Sequence, residues 1–335
     1  MSEEYLLLSD THLGLHGSND NWHEIVLKLF QTIADFCVKN NIKKIIHLGD
    51  FFDNRKSLNV KTIYYATLIA DILNDFKTYL IVGNHDTFFK NQIHPHSLLI
   101  FNKYENINVI DSPWQLDGDI GLIPWGCGFE NVELPYLMGH FEINDFRMNS
   151  GYVMKRAKLN RSDFNGFKQV ISGHYHTPMV EDDINYVGAP YHQSFADVGE
   201  RGFYLWSRDK DLQFIEYTDA PHFMKVTVTE SMVQNVDATF IKGNIIKLIF
   251  EEDYGTVENN QIIENIQLKE PFLLYTDFSK ISADLTDEIV LDTAEMVNNQ
   301  EIVKDFIEKT EVPKNLDKNV IIRMIETLMD EIVED

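Results

Sequence analysis

Only two cysteines, Cys37 and Cys127, occur in 335 residues, and no Cys-x-x-Cys pair is present. That scarcity excludes a disulfide framework and a thiolate metal site, and it points to a reducing cytoplasm. No apolar run approaches the ~18 residues that a membrane-spanning helix needs, so no membrane association is expected. The opening residues, Met1-Ser2-Glu3-Glu4-Tyr5-Leu6-Leu7-Leu8, are acidic before a very short apolar run. A secretory signal has a basic start and a longer apolar core, so the mature protein is expected to begin here. Nothing like Gly-x-x-x-x-Gly-Lys-[Ser/Thr] appears, so the chain carries no P-loop and is not its own ATPase. Basic side chains are scarce too: 29 Lys and Arg stand against 53 Asp and Glu, a net charge of −24.

So acidic a total argues at first against a nucleic-acid partner, because phosphate binding normally uses a basic surface. Distribution matters more than the total. Residues 230–335 hold 24 acids and 9 bases, so most of the excess lies in the last third of the chain. One window reverses the sign: Arg147, Lys155, Arg156, Lys158, Arg161 and Lys168 face only Asp163 within it. A solvated loop or helix face explains that window as well as a contact to a nucleic-acid backbone does.

Short apolar runs end abruptly in polar or glycine-bearing turns: Tyr5–Leu8 before Ser9-Asp10, Ile45–Leu48 before Gly49-Asp50, and Tyr79–Val82 before Gly83-Asn84. Between them, His23–Lys39 and Thr62–Phe76 place apolar residues at helical spacing. Strand, helix, strand, helix, strand reads as an α/β unit, in which functional groups gather at the carboxyl ends of strands. The stretches Val109–Leu122 and Val170–Phe203 look strand-rich and suggest a second sheet packed on the first. Short β-type segments from Leu212 to Phe250 suggest a smaller accessory domain. Beyond Ser279 the pattern turns helical and acidic. A last helix is expected from Asp317, with Val320, Ile321, Met324, Ile325, Leu328 and Ile332 forming a stripe that packs on its own domain or docks a partner helix.

Five short motifs carry the chemistry, in fixed order: Asp10-Thr-His12, Gly49-Asp50-Phe-Phe-Asp53, Gly83-Asn84-His85-Asp86, Gly139-His140 and Gly173-His174-Tyr-His176. Each alone is weak, since a lone histidine at a strand end is more often a satisfied structural group than a ligand. Together they offer imidazole and carboxylate donors without thiolate, a mixture that suits Mn²⁺, Fe²⁺ or Zn²⁺ better than Ca²⁺ or Mg²⁺. One carboxylate shared between two cations would hold them ~3.5–4 Å apart, the spacing of two-metal phosphoryl-transfer sites.

This order of motifs, covering Tyr5 to His176, resembles the calcineurin-like metallophosphoesterase superfamily. A narrower resemblance, to SbcD-type DNA-repair nucleases, rests on Asp10-Thr-His-Leu-Gly14, Leu122-Ile-Pro-Trp125, Gly188-Ala-Pro190 with Ser194-Phe195, and Gly199-Glu-Arg-Gly-Phe203. The compact length and Gly139-His-Phe-Glu142 look most like the phage recombination nuclease subunit. The resemblance implies a two-sheet α/β/β/α metallophosphoesterase sandwich over residues 1–212. A small accessory α/β capping domain over 213–278 and a C-terminal helical partner-docking region over 279–335 would follow.

The resemblance also implies roles. Asp10, His12 and His176 would hold one cation; Asn84, His140 and His174 would hold the other; Asp50 would bridge two divalent ions, Mn²⁺ being expected. His85 matches the family's catalytic histidine, which stabilises the transition state or protonates the leaving oxygen, and Asp86 is expected to orient it. Asp53 is read as a support to the ligands. Arg55 and Lys56, with Arg147, Lys155, Arg156, Lys158 and Arg161, are the candidate DNA contacts. The implied activity combines 3′-to-5′ exonuclease and single-strand endonuclease cleavage, in a repair or recombination complex with a separate SMC-like ATPase docked on the C-terminal helices. A homodimer is implied as well. By analogy its interface is expected at the helix near Thr62–Phe76.

Two rival functions deserve weighing. A phosphoesterase acting on small nucleotides or phosphoproteins would use the same cradle, which reads phosphate rather than the group attached to it. A metal-free scaffold would be expected to have lost several of the seven donors. Among the remaining histidines, His47 reads as core and His192 as a candidate cleft residue. His94 and His96 read as a surface loop, because Pro95 lies between them and no carboxylate is near in sequence.

Overall fold

The computed structural model describes residues 3–147, 153–233 and 240–282. The first strand, β1 (Tyr5–Leu8), is followed by helix α1 (Asp20–Asn40), β2 (Lys44–His47), α2 (Val60–Leu73) and β3 (Lys77–Ile81). Helix α1 starts three residues before the expected His23, because the Asn19 side chain accepts the Asn21 N–H and caps the first turn. It stops where Asn41 turns left-handed at φ 57°. Helix α2 is capped in the same way by Asn59, whose side chain accepts the Thr62 N–H at 2.8 Å.

A hairpin of β4 (Thr87–Phe89) and β5 (Gln92–His96) leads to β6 (Ile107–Ile110), β7 (Trp114–Leu116), β8 (Ile120–Ile123), β9 (Tyr136–His140), β10 (Gln169–Gly173), β11 (Met179–Glu181), β12 (Ile184–Tyr186), β13 (Gly202–Ser207) and β14 (Lys210–Glu216). Two six-stranded sheets result, ordered β14-β13-β1-β2-β3-β6 and β11-β12-β10-β9-β8-β7. In the first sheet β1, β2, β3 and β6 are parallel; in the second β8, β9, β10 and β12 are parallel.

Strand periodicity assigns every apolar side chain to a layer. Leu6 and Leu8 face the helices with Leu29, Phe30 and Ile33 of α1, while Tyr5 and Leu7 face the second sheet. Ile46, Leu48 and Ile81 from the first sheet meet Ile120, Leu122, Met138 and Ile171 from the second in a dry inter-sheet core. Each such fully buried aliphatic side chain contributes roughly 1.5–3 kcal/mol. Beyond the second sheet lies a third cluster, in which Phe129, Phe141, Phe146 and Phe164 of loops and the 3-10 turn Arg161–Phe164 cover its outer face.

The strand-rich stretches divide between the sheets rather than forming one. β6 pairs with β3, and β13 returns to pair with β1, because Val109, Phe203 and Leu205 pack toward the helix-side core. The edge strand β14 carries the first sheet past residue 212, with Leu212 and Phe214 packed on the inter-sheet core.

By compactness the chain divides into Met1–Lys225 with Asp237–Lys247 and Ile266–Leu274, and a second unit of Val226–Val236, Leu248–Asn265 and Tyr275–Asp335. Both six-stranded sheets belong to the first unit. In the second, Phe250 stacks on Phe278 with ring centroids 4.2 Å apart. The expected C-terminal docking helices, including the stripe from Asp317, lie outside the described residues beyond the short turn Ser279–Ser282. Among the described residues, no helix is long and apolar enough to cross a membrane.

Candidate metal centre

Parallel strands of both sheets end at one place. The loop after β1 delivers Asp10 and His12, that after β2 delivers Asp50, and that after β3 delivers Asn84 and His85. From the second sheet, β9 ends on His140 and β10 on Gly173, one residue before His174, with Gly173 in register with His140.

The loops approach so closely that glycine is required between them. A Cβ on Gly49, whose φ is +106°, would run into the His140 ring, and one on Gly83 would strike the backbone and carboxylate of Asp50. The donors themselves bend the backbone. Asp10, His12, Asp50 and His174 all have positive φ, at 53°, 43°, 56° and 91°. Such conformations cost of order 1–3 kcal/mol each and persist only where the surroundings impose them.

At this edge of the sheets, three of the groups of side chains among the described residues have donor atoms close enough to hold a metal ion: Asp10, His12 and His176; His12, Asp50 and His85; and Asp50, His140 and His174. His12 Nε2 and His176 Nε2 face each other at 3.2 Å. Asp50 Oδ2 lies 3.3 Å from His140 Nε2 and 3.8 Å from His12 Nε2, so its carboxylate reaches toward both ends of the cluster. The Asn84 side-chain oxygen sits 2.9 Å from His140 Nε2 and 3.0 Å from His174 Nδ1. Imidazole nitrogens and carboxylate or amide oxygens converge here with no thiolate, a donor set that fits a divalent cation of the borderline class.

Charge within the cluster is strongly coupled. Burial opposes protonation of His140, but the Asp50 carboxylate beside it lifts its pKa to about 9. Burial likewise disfavours charge on Asp50, yet His140 and His12 hold its pKa well below the carboxylate range. His12 is raised, since Asp53, Asp50 and Asp10 together outweigh its burial. Burial and the neighbouring His12 push His176 down to about 4, leaving it neutral at physiological pH.

Supporting contacts fix the donors. His140 Nδ1 donates to the Leu48 carbonyl at 2.8 Å, which aims Nε2 at Asp50 and Asn84. The Asp10 carboxylate accepts the His174 backbone N–H at 3.1 Å, and Asp50 Oδ1 accepts that of His85 at 2.8 Å. Asp53 places a carboxylate oxygen 3.5 Å from His12 Nδ1.

The expected pairing of Asp86 with the His85 ring does not form. The Asp86 carboxylate is fully buried and accepts the N–H groups of Gly83 (2.9 Å), Phe52 (3.0 Å) and Phe51 (3.3 Å), so it staples two loops together. Burial and the charge of Asp50 raise its pKa to about 7 despite those three donors. His85 instead donates from Nδ1 to the Asp53 carbonyl at 2.7 Å, which leaves Nε2 outside that bond. Its ring stands 4.8 Å from that of His12, edge to face.

The basic candidates separate into two groups. Arg55 is at the centre, its guanidinium donating to the Asn84 carbonyl at 2.9 Å, while Lys56 next to it is exposed. Arg147, Arg156 and Lys158 are exposed, and the charge of Lys158 lowers the pKa of Glu142 after that of His174. Lys155 pairs with Asp145, and Arg161 pairs with Glu181 and lies 4.5 Å over the Phe146 ring. Those two meet acids from outside the basic window, so local counting overstated the positive charge they offer.

Further residues support the centre: Trp125 and Glu142 lie in segments already singled out in sequence, whereas Tyr191 and Gln193 carry no signal of their own there. Trp125 packs its ring 5.9 Å from His140 and 5.1 Å from His174, and Glu142 Oε1 lies 3.7 Å from His174 Nε2. Tyr191 donates its hydroxyl to the Thr11 carbonyl at 2.7 Å, and Gln193 donates to the Asp10 carbonyl at 2.6 Å. His192 instead turns to the Gly199 carbonyl at 2.8 Å. His47 is buried in β2, as its apolar surroundings predict, and bonds Thr11 Oγ1 at 2.9 Å.

Several known proteins are similar to this chain. Exonuclease subunit 1 of Enterobacteria phage T4 is 32% identical over 222 residues, covering 62% of this chain and 65% of the phage protein. The DNA double-strand break repair protein Mre11 of Sulfolobus acidocaldarius is 27% identical over 150 residues, 43% of this chain and 36% of that one. The chain therefore spans less than two thirds of the length of each of these relatives. Among solved structures, the Pseudomonas putida nuclease MPE matches at 17% identity with a TM-score of 0.33, over 61% of this chain and 84% of that one. The family model for calcineurin-like phosphoesterases matches residues 4–178, the span that contains both sheets' site-bearing strands from β1 to β10, and the chain belongs to that family.

Proposed function

We propose that this chain is the nuclease subunit of a DNA repair or recombination complex, hydrolysing DNA phosphodiesters with two divalent cations, Mn²⁺ by preference. The observation that carries this reading is the pair of donor sets that meet at Asp50: Asp10, His12 and His176 on one side, Asn84, His140 and His174 on the other. When bound, such a pair of cations activates water near neutral pH and neutralises charge on the phosphoryl oxygens. The chain's own groups do the rest. His85, held by Asp53 through Nδ1, presents Nε2 to stabilise the pentavalent phosphoryl group or to protonate the departing sugar oxygen. Arg55, tied to the Asn84 carbonyl, supplies a fixed positive charge for a neighbouring phosphate.

The phage and archaeal relatives named above support DNA as the substrate, and the exposed Arg147, Arg156 and Lys158 are the backbone contacts of this reading. Exonuclease cleavage from 3′ ends and endonuclease cleavage of single strands belong to the same proposal, as does a separate SMC-like ATPase partner. A homodimer is part of it too. Helix α2 supports that element, because Val60, Ile63 and Tyr64 stand exposed at 82%, 43% and 59% opposite its buried face of Ala66, Ile69 and Leu73.

The test is Mn²⁺-dependent degradation of end-labelled duplex DNA by wild type, His85→Ala and Asp50→Ala. Wild type should degrade it, Asp50→Ala should be inactive, and His85→Ala should be slowed by about 10²–10⁴-fold while still taking up metal. Intact DNA alongside hydrolysis of bis-p-nitrophenyl phosphate would overturn the DNA assignment and favour a small phosphoester substrate.

A further inference from the structure

A second cluster of ligand-type side chains lies outside the family motifs. His94 and His96 are two residues apart on β5, so they share one face of the strand. Asp111, directly after β6, comes up beside them, with Oδ2 3.6 Å from His94 Nε2 and 3.6 Å from His96 Nε2. The donor atoms of all three residues lie within 4.8 Å of one another.

A separation of 3.6 Å is too long for a hydrogen bond. It is close to the edge of a tetrahedron around one cation, roughly 3.4 Å for ligand bonds of about 2.0–2.1 Å. His96 makes the stronger case. Its side chain is fully buried, yet neither ring nitrogen has a hydrogen-bond partner. Buried polar groups are normally satisfied, and an unsatisfied imidazole aimed at a carboxylate and a second imidazole lacks something between them.

We propose that His94, His96 and Asp111 form a separate binding site for one borderline transition-metal cation, Zn²⁺ or a close neighbour, which fastens the β4–β5 hairpin to the end of β6. Two imidazoles and a carboxylate without thiolate select this class over Mg²⁺ and Ca²⁺. The His94 side chain is 58% exposed and that of Asp111 35%, which gives an ion a route in and leaves room for water as the remaining ligand. The hairpin springs from the Asn84-His85-Asp86 loop: Thr87 pairs with His96, and the Ser97 N–H bonds the Asp86 carbonyl at 2.8 Å. A cation here would therefore anchor the far side of that loop without touching the phosphoesterase centre.

The experiment compares metal-stripped wild type, His94→Ala and Asp111→Asn after dialysis against micromolar Zn²⁺, with bound metal counted by mass spectrometry. Each variant should hold one equivalent fewer than wild type, whatever number the other centre takes. His94 and Asp111 are solvent-accessible, so both variants should fold, and equal melting temperatures in chelator would verify that. A second readout is the Zn²⁺-induced rise in melting temperature of a chain already carrying Asp50→Ala, which His94→Ala should reduce. Equal stoichiometry in wild type and both variants overturns the proposal, as does a site that fills only at millimolar Zn²⁺.

Discussion

The proton on His140 is predicted to compete directly with metal. Asp50 holds the His140 pKa at about 9, and the Nε2 atom that carries the proton is the one facing Asp50 and Asn84. A cation bound there must displace it. Well below pH 9 the neutral fraction of His140 falls tenfold per pH unit, so from about one half at pH 9 to about one hundredth at pH 7 metal affinity should drop by about fiftyfold, at ~1.4 kcal/mol for each tenfold step. His12, raised by its own carboxylate neighbours, acts in the same sense, whereas His176 at about 4 contributes nothing in this range. The stability of metal-free protein should move the other way. A histidine whose folded pKa lies above its unfolded value of about 6.5 stabilises the fold fully below that value. Its contribution is lost as pH rises through about 9. Metal-free protein should therefore weaken between pH 6.5 and 9 while metal-loaded protein strengthens. Isothermal titration in two buffers of different ionisation enthalpy would count the protons released, at least one near pH 7.5. Release of none, with affinity flat from pH 7 to 9, would refute the reasoning.

Two further substitutions test the supports. Tyr191→Phe removes a buried donor from the Thr11 carbonyl and leaves that oxygen unpaired in a fully buried loop; unfolding by denaturant should show a loss of ~1–3 kcal/mol, and a loss below about 0.5 kcal/mol would mean that the loop is held by other contacts. Tyr64→Glu puts a charge in the middle of the exposed apolar stripe of α2; sedimentation should shift from dimer toward monomer with the melting temperature of the monomer unchanged, and an unaltered dimer would move the interface elsewhere.

What could be read in the sequence follows from where information is local. Asp10, Asp50 and Asn84 each sit just past an apolar run, and a run that stops at a small or polar residue is already a strand end. Their convergence was legible because parallel strands deliver such ends to one edge. Asp86 was misread for the opposite reason. Adjacent residues suggest a pair, but Asp86 turns toward the N–H groups of Phe51 and Phe52, which lie 34–35 positions away. The same holds for Asp111 beside His94 and His96, and for Glu181 beside Arg161. Those acids come from other strands, and no local window contains them.

The long-range supports also explain how the centre tolerates its backbone strain. Four donors with positive φ would relax if their loops were free. They are not free: Asp10 and His12 donate their N–H groups to the carbonyls of Gly49 (3.0 Å) and Asp50 (3.1 Å), while Gln193 and Tyr191 hold the carbonyls of Asp10 and Thr11. The last two come from about 180 residues downstream, from the segment that leads into β13. Because β13 pairs with β1, the strand that carries Asp10 is gripped along its length and again at its end. Each grip is an ordinary hydrogen bond, worth about 0.5–1.5 kcal/mol net. Together they match the strain at the two residues they surround. The loops that carry these donors are thus gripped from both ends of the chain, and the downstream segment supports the centre although it supplies no donor.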